Sequence, residues 1–150
     1  MHFGSPLLSE EEKSAVFRIL DVNCNRLREA LRVLEEYVRF VVTAPETATI
    51  LKKLRHSLKL FEDECNRSNL VISRDTQTDP FAQETKPEEM MRTSLEDVLV
   101  ANCKRAQEAA RTLEEYVKIT KFASAAAHAK RLRFSLYEAE KKLMEHVGNG

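Results

Sequence analysis

The sequence predicts an all-α protein, a four-helix bundle built from a duplicated helical hairpin with a long central loop. Three observations support this prediction. Charged residues make up 32% of the 150 residues, with only three glycines and four prolines, a composition typical of helical proteins. Apolar residues recur at helical spacing in long segments. Finally, residues 23–38 are repeated as residues 102–117, a shift of 79 (102 − 23), and so long a repeat indicates a duplicated unit.

Size and charge narrow the classes of protein to consider. The length predicts a single helical domain over residues 9–147, preceded by a flexible arm over residues 1–8. Lys plus Arg and Asp plus Glu number 24 each, so no basic excess indicates a nucleic-acid or anionic-membrane partner. No apolar run approaches the ~18 residues of a membrane span, and three cysteines suit reduced thiols. We therefore expect a soluble, cytoplasmic protein.

The first repeat is predicted to cover about residues 10–66. Ser9 and Glu12 have capping-box spacing, which predicts a helix start near residue 10. Apolar residues then form a first row along that helix: Leu20, Cys24, Leu27, Leu31, Leu34, Val38 and Val41. A second row runs beside it: Ile19, Asn23, Arg26, Ala30, Val33, Tyr37 and Phe40. The outer face is predicted to carry Asp21, Asn25, Arg28, Arg32, Glu35 and Arg39. Pro45 suits the first turn of the second helix, which should end around Asn66.

The second repeat, about residues 94–147, is separated from the first by a predicted central loop over residues 67–92. Loops of this length are often functional or disordered. Capping-box spacing recurs for Thr93 with Glu96 and for Ser94 with Asp97, so a third helix should start there. Residues 130–136 of the predicted fourth helix echo residues 52–58 with a shift of 78 (130 − 52). The repeated unit is therefore a whole hairpin.

Polar residues interrupt the second row of both repeats. They are Asn23, Arg26 and Glu29 in the first repeat, and Asn102, Arg105 and Glu108 in the second. A buried or half-buried arginine needs a partner, because an unpaired charge in a core is costly. One interpretation is a network of salt bridges that fixes the register of the hairpins. The other is an anion site in which arginines bind phosphate bidentately. Arg55 and Arg133, on the partner helices, could face the same region.

Arg74, Asp75 and Thr76 form the second candidate site, in the central loop. Arginine and threonine donate hydrogen bonds to phosphate oxygens, and aspartate can hold Mg²⁺ or orient a hydroxyl. The alternative is a solvated turn with local side-chain hydrogen bonds. The sequence has no glycine-rich phosphate loop and no Glu-x-x-His motif, so phosphate binding would depend on side chains, and no metal site is predicted.

The motifs, and the order in which they occur along the chain, resemble those of a known family. The doubled Asn-x-x-Arg-x-x-Glu, together with Leu54-Arg55-His56 and Arg74-Asp75-Thr76, resembles the helical domain at the N-terminus of some bacterial thiamine-phosphate synthases. That domain is similar to the monofunctional hydroxymethylpyrimidine-phosphate kinases of thiamine biosynthesis. The resemblance covers about residues 16–145.

The resemblance implies transfer of the ATP γ-phosphoryl group to hydroxymethylpyrimidine phosphate, with Mg²⁺ and ATP required. The partners would be this small phosphorylated metabolite and thiamine-phosphate synthase. The chemistry of phosphoryl transfer then suggests roles for the matched positions. The phosphate-binding candidates are Arg26, Arg105, Arg74, Thr76, Arg55 and Arg133. The catalytic or metal-binding candidates are Glu29, Glu108 and Asp75, and the candidates for binding the pyrimidine are Asn23 and Asn102.

One departure from the family pattern keeps other functions open. After Arg-Asp-Thr we expect a glycine-containing stretch, but here Asp79 is followed by Pro80 and Phe81. Without the glycine, the backbone loses a place for close approach to a phosphate. The alternatives are a non-catalytic helical module that binds a phosphate-bearing metabolite or a thiamine-pathway enzyme, and a plain scaffold or oligomerisation bundle. The oligomeric state is left open, a homo-oligomer included.

Overall fold

The computed structural model describes residues 8–81 and 91–148, and in this part of the chain all regular secondary structure is helical. Within these segments lie the α-helices α1 (Glu10–Phe40), α2 (Pro45–Glu64), α3 (Arg67–Ile72), α4 (Leu95–Val117) and α5 (Ala126–Gly148). A 3₁₀ turn, Ala123–Ala125, precedes α5. The all-α prediction is confirmed, whereas the duplicated-hairpin bundle stays a prediction. The predicted arm up to residue 7 and residues 82–90 of the central loop lie outside the described residues.

Local sequence signals set the starts of the long helices. The Ser9 hydroxyl accepts a hydrogen bond from the Glu12 N–H (3.1 Å), and the Glu12 carboxylate accepts one from the Ser9 N–H (3.0 Å), which completes the predicted capping box. Ser94 caps α4 by accepting from the Asp97 N–H at 3.1 Å. The Asp97 carboxylate, however, accepts from the N–H and hydroxyl of Thr93 instead of closing the box.

Each long helix packs against two others. Helix α1 packs on α2 and α4, and α5 packs on the same two, so the contacts run from α1 to α2, α5, α4 and back to α1. The first apolar row of α1 is buried from Leu20 to Val38, although Val41 at its end is half-exposed. The equivalent row of α4 is buried from Leu99 to Val117. No helix in the described segments is apolar and long enough to cross a membrane.

Helix α3 occupies the start of the predicted central loop. Asn66, with φ of 62°, lies in the left-handed region and turns the chain between α2 and α3; asparagine tolerates this conformation better than most residues. Leu70 is buried, whereas Val71 and Ile72 are exposed. This one-sided burial attaches α3 to α1 and α2.

The predicted outer face of α1 is wrong at two positions. Asp21 is 3% exposed and Glu35 is 0% exposed, because α2 and the α3 segment cover this flank of α1. The covering elements supply arginine partners, Arg74 for Asp21 and Arg55 for Glu35. A single amphipathic stripe cannot predict that a second neighbour buries the flank beside it.

The three cysteines are free and buried. Removal from water raises the pKa of Cys65 and of Cys103 to about 12, and raises the pKa of Cys24 as well. The thiols are therefore protonated at neutral pH and poor nucleophiles.

Candidate functional site

The polar residues of the two second rows meet across one cavity of about 850 Å³ between α1 and α4. Each helix contributes an asparagine, an arginine and a glutamate at steps of three residues. These are Asn23, Arg26 and Glu29 of α1, and Asn102, Arg105 and Glu108 of α4. Steps of three residues keep side chains on one helix face, so the two copies of the motif lie opposite each other. The structure thus brings together six of the residues that the sequence singles out.

The rest of the lining is mostly small or apolar. Ala30 and Ala109 are equivalent under the shift of 79, as are Val33 and Thr112. The two alanines are buried and leave space between the helices. Phe81 also lines the cavity, a residue to which sequence reasoning gave no role. The only sequence signal for Phe81 was that it lies in the Asp79-Pro80-Phe81 stretch, where the chain lacks the glycine of the family pattern.

The two cavity arginines have no protein partner in the described segments. Arg26 and Arg105 are exposed, and neither makes an ion pair or hydrogen bond with another described residue; the same holds for the Glu29 and Glu108 carboxylates. The interpretation that Arg26 and Arg105 are buried members of a salt-bridge network is therefore corrected. Water in the open cavity can solvate these charges, so they need no partner. Both guanidinium groups remain available for bidentate bonds to an anion.

The two asparagines are held in matching ways. Asn23 Nδ2 donates to the Ile19 carbonyl at 2.9 Å, and Asn102 Nδ2 donates to the Val98 carbonyl at 2.8 Å. Neither Oδ1 atom has a partner among the described residues, and every buried side-chain polar atom there is satisfied, so both Oδ1 atoms are accessible. Each carboxamide therefore presents an acceptor, and its second N–H, to a ligand.

Arg55 and Arg133 do not line the cavity, which corrects the expectation that they face the same region as Arg26. Arg55 makes a bidentate pair with Glu35, Nε to Oε2 at 2.7 Å and Nη2 to Oε1 at 3.1 Å. Arg133 Nε donates to Glu114 Oε2 at 2.9 Å. Burial opposes ionisation of Glu114, but the hydrogen bond and charge of Arg133 outweigh it and lower the pKa of Glu114. A salt-bridge network therefore exists, but it joins α1 to α2 and α4 to α5.

The structure also keeps Arg74, Asp75 and Thr76 out of the cavity lining. Arg74 donates two hydrogen bonds to the Asp21 carboxylate, at 2.7 and 2.9 Å. The Thr78 hydroxyl and N–H donate to the Asp75 carboxylate and lower its pKa. Thr76 is exposed. The Asp75–Thr78 hydrogen bonds are those of a solvated turn with local side-chain hydrogen bonds, whereas Arg74 makes a long-range ion pair with α1.

A separate polar cluster joins α2 and α5. His128 Nε2 lies 2.9 Å from Ser57 Oγ, and His128 Nδ1 lies 2.8 Å from Glu64 Oε1. The order is that of a catalytic triad, but none of the three residues lines the cavity. Phe61 packs edge-on against the histidine ring, with centroids 6.0 Å apart. We assign the cluster to helix packing.

Two carboxylates, those of Glu29 and Glu108, line the cavity together with the arginines and are available to a cation. In the described residues no group of three or more His, Cys, Asp or Glu side chains is placed to hold a metal ion. Mg²⁺ in phosphoryl-transfer sites is commonly held by one or two carboxylates, with waters and substrate phosphates completing its shell. The exposed carboxylates of Glu29 and Glu108 fit such a donor set.

Comparison with known proteins places the chain in a family. The ThiD2 family model matches residues 18–142, which include both copies of the cavity motif. The thiamine-phosphate synthase of Nostoc punctiforme is 39% identical over 137 residues, which are 91% of this chain and 38% of that protein. The synthase of Gloeobacter violaceus is 42% identical over 129 residues, which are 86% of this chain and 36% of that protein. The chain thus spans less than two fifths of the length of these relatives. No solved structure gives a significant match. The resemblance stated from the motifs is confirmed, and the chain belongs to the ThiD2 family, which is related to thiamine biosynthesis.

Proposed function

We propose that the chain binds hydroxymethylpyrimidine phosphate and ATP in the α1–α4 cavity and transfers the γ-phosphoryl group from ATP to the pyrimidine phosphate. The observation that carries this proposal is that Arg26 and Arg105, which have no partner among the described residues, line one cavity of about 850 Å³. Small-molecule sites commonly have volumes of about 300–1,000 Å³. The family's link to thiamine biosynthesis supports the choice of substrate.

In this reaction an oxygen of the acceptor phosphate attacks the γ-phosphorus of ATP, and the bond between that phosphorus and the β,γ-bridging oxygen breaks. The products are ADP and hydroxymethylpyrimidine diphosphate. A phosphate monoester with a second pKa of about 6 is mostly dianionic at neutral pH, so the acceptor oxygen needs no base. Catalysis then depends on alignment and charge neutralisation.

This chemistry gives a role to each residue of the duplicated Asn, Arg and Glu motif. Arg26 and Arg105 bind phosphate oxygens, and Asn23 and Asn102 hydrogen-bond the ring substituents or ring nitrogens of a ligand. Glu29 and Glu108 would hold Mg²⁺ through their carboxylates. When bound, Mg²⁺ supplies neutralisation of the charge on the transferring phosphates.

We further propose that the site originated by duplication of one helical hairpin, which gives a four-helix bundle. The ion pairs repeat between the halves: Glu35 with Arg55 becomes Glu114 with Arg133 under shifts of 79 and 78 (114 − 35 and 133 − 55). The contact between Arg28 and Glu62 likewise becomes the contact between Gln107 and Glu140, at 2.9 Å. Duplication explains why the cavity carries its polar motif twice.

The second candidate is a non-catalytic module that binds the same class of metabolite and works with thiamine-phosphate synthase. The observation that favours it is the relatives' architecture, since proteins named thiamine-phosphate synthase carry a segment similar to this chain within a longer chain. A plain scaffold or oligomerisation bundle accounts poorly for charges that are repeated at equivalent positions and find no partner within residues 8–81 and 91–148.

Turnover separates the two candidates. The purified chain is incubated with ATP, Mg²⁺ and hydroxymethylpyrimidine phosphate, and ADP and the diphosphate are followed by ³¹P NMR. We expect equal amounts of both products, and loss of both in Arg26→Ala. Arg39→Ala is the matched control, because Arg39 is an exposed arginine of α1 that does not line the cavity.

Absence of product from a folded wild-type chain would contradict the kinase proposal. In that case, a melting temperature that rises with the pyrimidine phosphate concentration would support the binding module. A melting temperature that stays constant would contradict both.

A further inference from the structure

We infer that Phe81 is the residue that distinguishes the two ends of the cavity, by stacking on the heteroaromatic ring of a bound ligand. This inference rests on the proposed function, because it assigns a ring-recognition residue to the same site.

The need for such a residue follows from the symmetry of the lining. Asn, Arg, Glu and Ala occur in both halves of the cavity, and only Val33 and its counterpart Thr112 differ. Among the described residues that line the cavity, none is related to Phe81 by the shift of 79. A phosphoryl donor and its acceptor are different molecules, and a symmetric lining cannot tell them apart. Phe81 is the largest departure from symmetry in the lining.

The duplicated arginines do not supply this discrimination. A guanidinium group recognises phosphate oxygens, which both proposed ligands carry. An aromatic side chain instead stacks on the flat face of a ring, and this face is larger in a purine than in a pyrimidine. The cavity therefore combines a phosphate-recognising set, which is duplicated, with a ring-recognising residue, which is single.

The local structure holds Phe81 at the cavity without burying it. Its side chain is 69% exposed and does not belong to the hydrophobic core. The Phe81 N–H donates to Asp79 Oδ1 at 2.9 Å, and Pro80 between them restricts the backbone, so a tight turn presents the ring. This is the stretch in which the sequence departs from the expected glycine pattern. A large exposed aromatic side chain at a cavity gains contact area when a planar ligand covers it.

The first experiment compares ligands with and without a ring. Calorimetry measures the affinities of ATP, hydroxymethylpyrimidine phosphate and inorganic tripolyphosphate for the wild type, Phe81→Ala and Phe81→Tyr. Stacking on an aromatic residue contributes roughly 5- to 100-fold in affinity, so we expect Phe81→Ala to weaken at least one ring-bearing ligand by about that factor. The affinity for tripolyphosphate should stay within about twofold, and Phe81→Tyr should retain the wild-type affinity for ring-bearing ligands. Arg26→Ala should weaken the binding of all three ligands.

A second experiment uses the absence of tryptophan from the chain. Phe81→Trp places a single fluorophore at the cavity, and excitation above about 295 nm avoids the tyrosines. Stacking should quench this fluorescence when a ring-bearing ligand is added, whereas tripolyphosphate should leave it nearly unchanged.

Two results would overturn the inference: equal weakening of all three ligands by Phe81→Ala, or ring-bearing ligands that bind the wild type and Phe81→Ala alike. Either result leaves the proposed function intact, because phosphate binding and turnover are measured separately. If no ligand binds the folded wild type, the inference and the proposed function both fail.

Discussion

Two pairs of duplicated arginines lie in surroundings that differ in kind. Where α1 meets α2, and where α4 meets α5, Arg55 and Arg133 each contact a buried glutamate. Where α1 meets α4, Arg26 and Arg105 lie exposed at a cavity and contact no described acidic side chain. All four positions belong to the duplicated pattern, so duplication alone does not explain the difference.

The comparison distinguishes charged side chains that stabilise the fold from charged side chains that are available to a ligand. A charge whose partner lies in the same chain can fix the register of helices, which is the role we assign to Arg55 and Arg133. A charge that has no partner among the described residues, as at Arg26 and Arg105, adds no ion pair to the folded state and is typical of a ligand site.

The largest effect is expected from removing both cavity arginines. Each charge-assisted hydrogen bond contributes about 1.5–3 kcal/mol, so Arg26→Ala combined with Arg105→Ala should weaken tripolyphosphate binding by at least ~100-fold. The free energy of unfolding should change by no more than ~0.5 kcal/mol, because neither side chain has a described partner to lose. Calorimetry and urea unfolding measure the two quantities. A clear loss of stability with unchanged tripolyphosphate binding would contradict this prediction, because it would mean that Arg26 and Arg105 stabilise the fold and do not bind the ligand.

Glu35→Ala should have the opposite profile. Glu35 is fully buried, and its loss leaves Arg55 beside an apolar core without its partner. Breaking a buried pair costs about 3–5 kcal/mol, and since the Arg55 side chain is 29% exposed and can reach water, we expect about 2–3 kcal/mol of destabilisation. Urea unfolding measures this loss, and tripolyphosphate affinity should be retained. Glu36→Ala, at an exposed neighbouring position, is the matched control, and equal destabilisation of both variants would contradict the assignment.

The sequence was informative about the cavity because helical periodicity converts spacing into a shared face. Asn23, Arg26 and Glu29 follow one another by three residues, and their duplication predicts a second set on α4. Periodicity also predicted the buried row from Leu20 to Val38, and the capping-box spacing of Ser9 and Glu12 predicted the capped start of α1. These are properties of one helix, which short-range sequence determines.

What periodicity could not predict depends on contacts between elements. Glu35 was expected on the outer face, but α2 covers that flank and turns the residue into a buried partner of Arg55. Arg74 was expected at a phosphate, but α3 places it beside Asp21. Phe81 gave no periodic signal at all, because it lies in a turn whose path is fixed by tertiary structure.

The third prediction concerns pH and uses Glu114. Burial raises the pKa of this carboxyl, but the hydrogen bond and charge of Arg133 more than compensate, so its pKa in the folded chain is below the ordinary value of 4.5. A lowered pKa means that ionised Glu114 stabilises the fold above about pH 4.5, and that this contribution is lost as the pH falls through the folded-state pKa. Glu114→Gln should therefore be less stable than the wild type at pH 7, and the difference should shrink below pH 4.5. A difference that stays constant from pH 7 to pH 3 would exclude this ionisation as its source.

The smallest effect is expected for Arg74→Lys, which tests whether this residue belongs with the paired arginines or with the cavity arginines. Lysine keeps the charge but cannot reproduce the two parallel bonds to Asp21. The Arg74 side chain is 43% exposed, so solvent screens the pair and the loss should be about 0.5 kcal/mol in urea unfolding. Because Arg74 does not line the cavity, tripolyphosphate affinity should remain within about twofold. Arg67→Lys, at an exposed position of α3, controls for a general effect of the substitution. A selective loss of tripolyphosphate affinity in Arg74→Lys would place this arginine in the ligand site. The distinction between paired arginines and ligand-binding arginines would then not hold for the segment that follows α3.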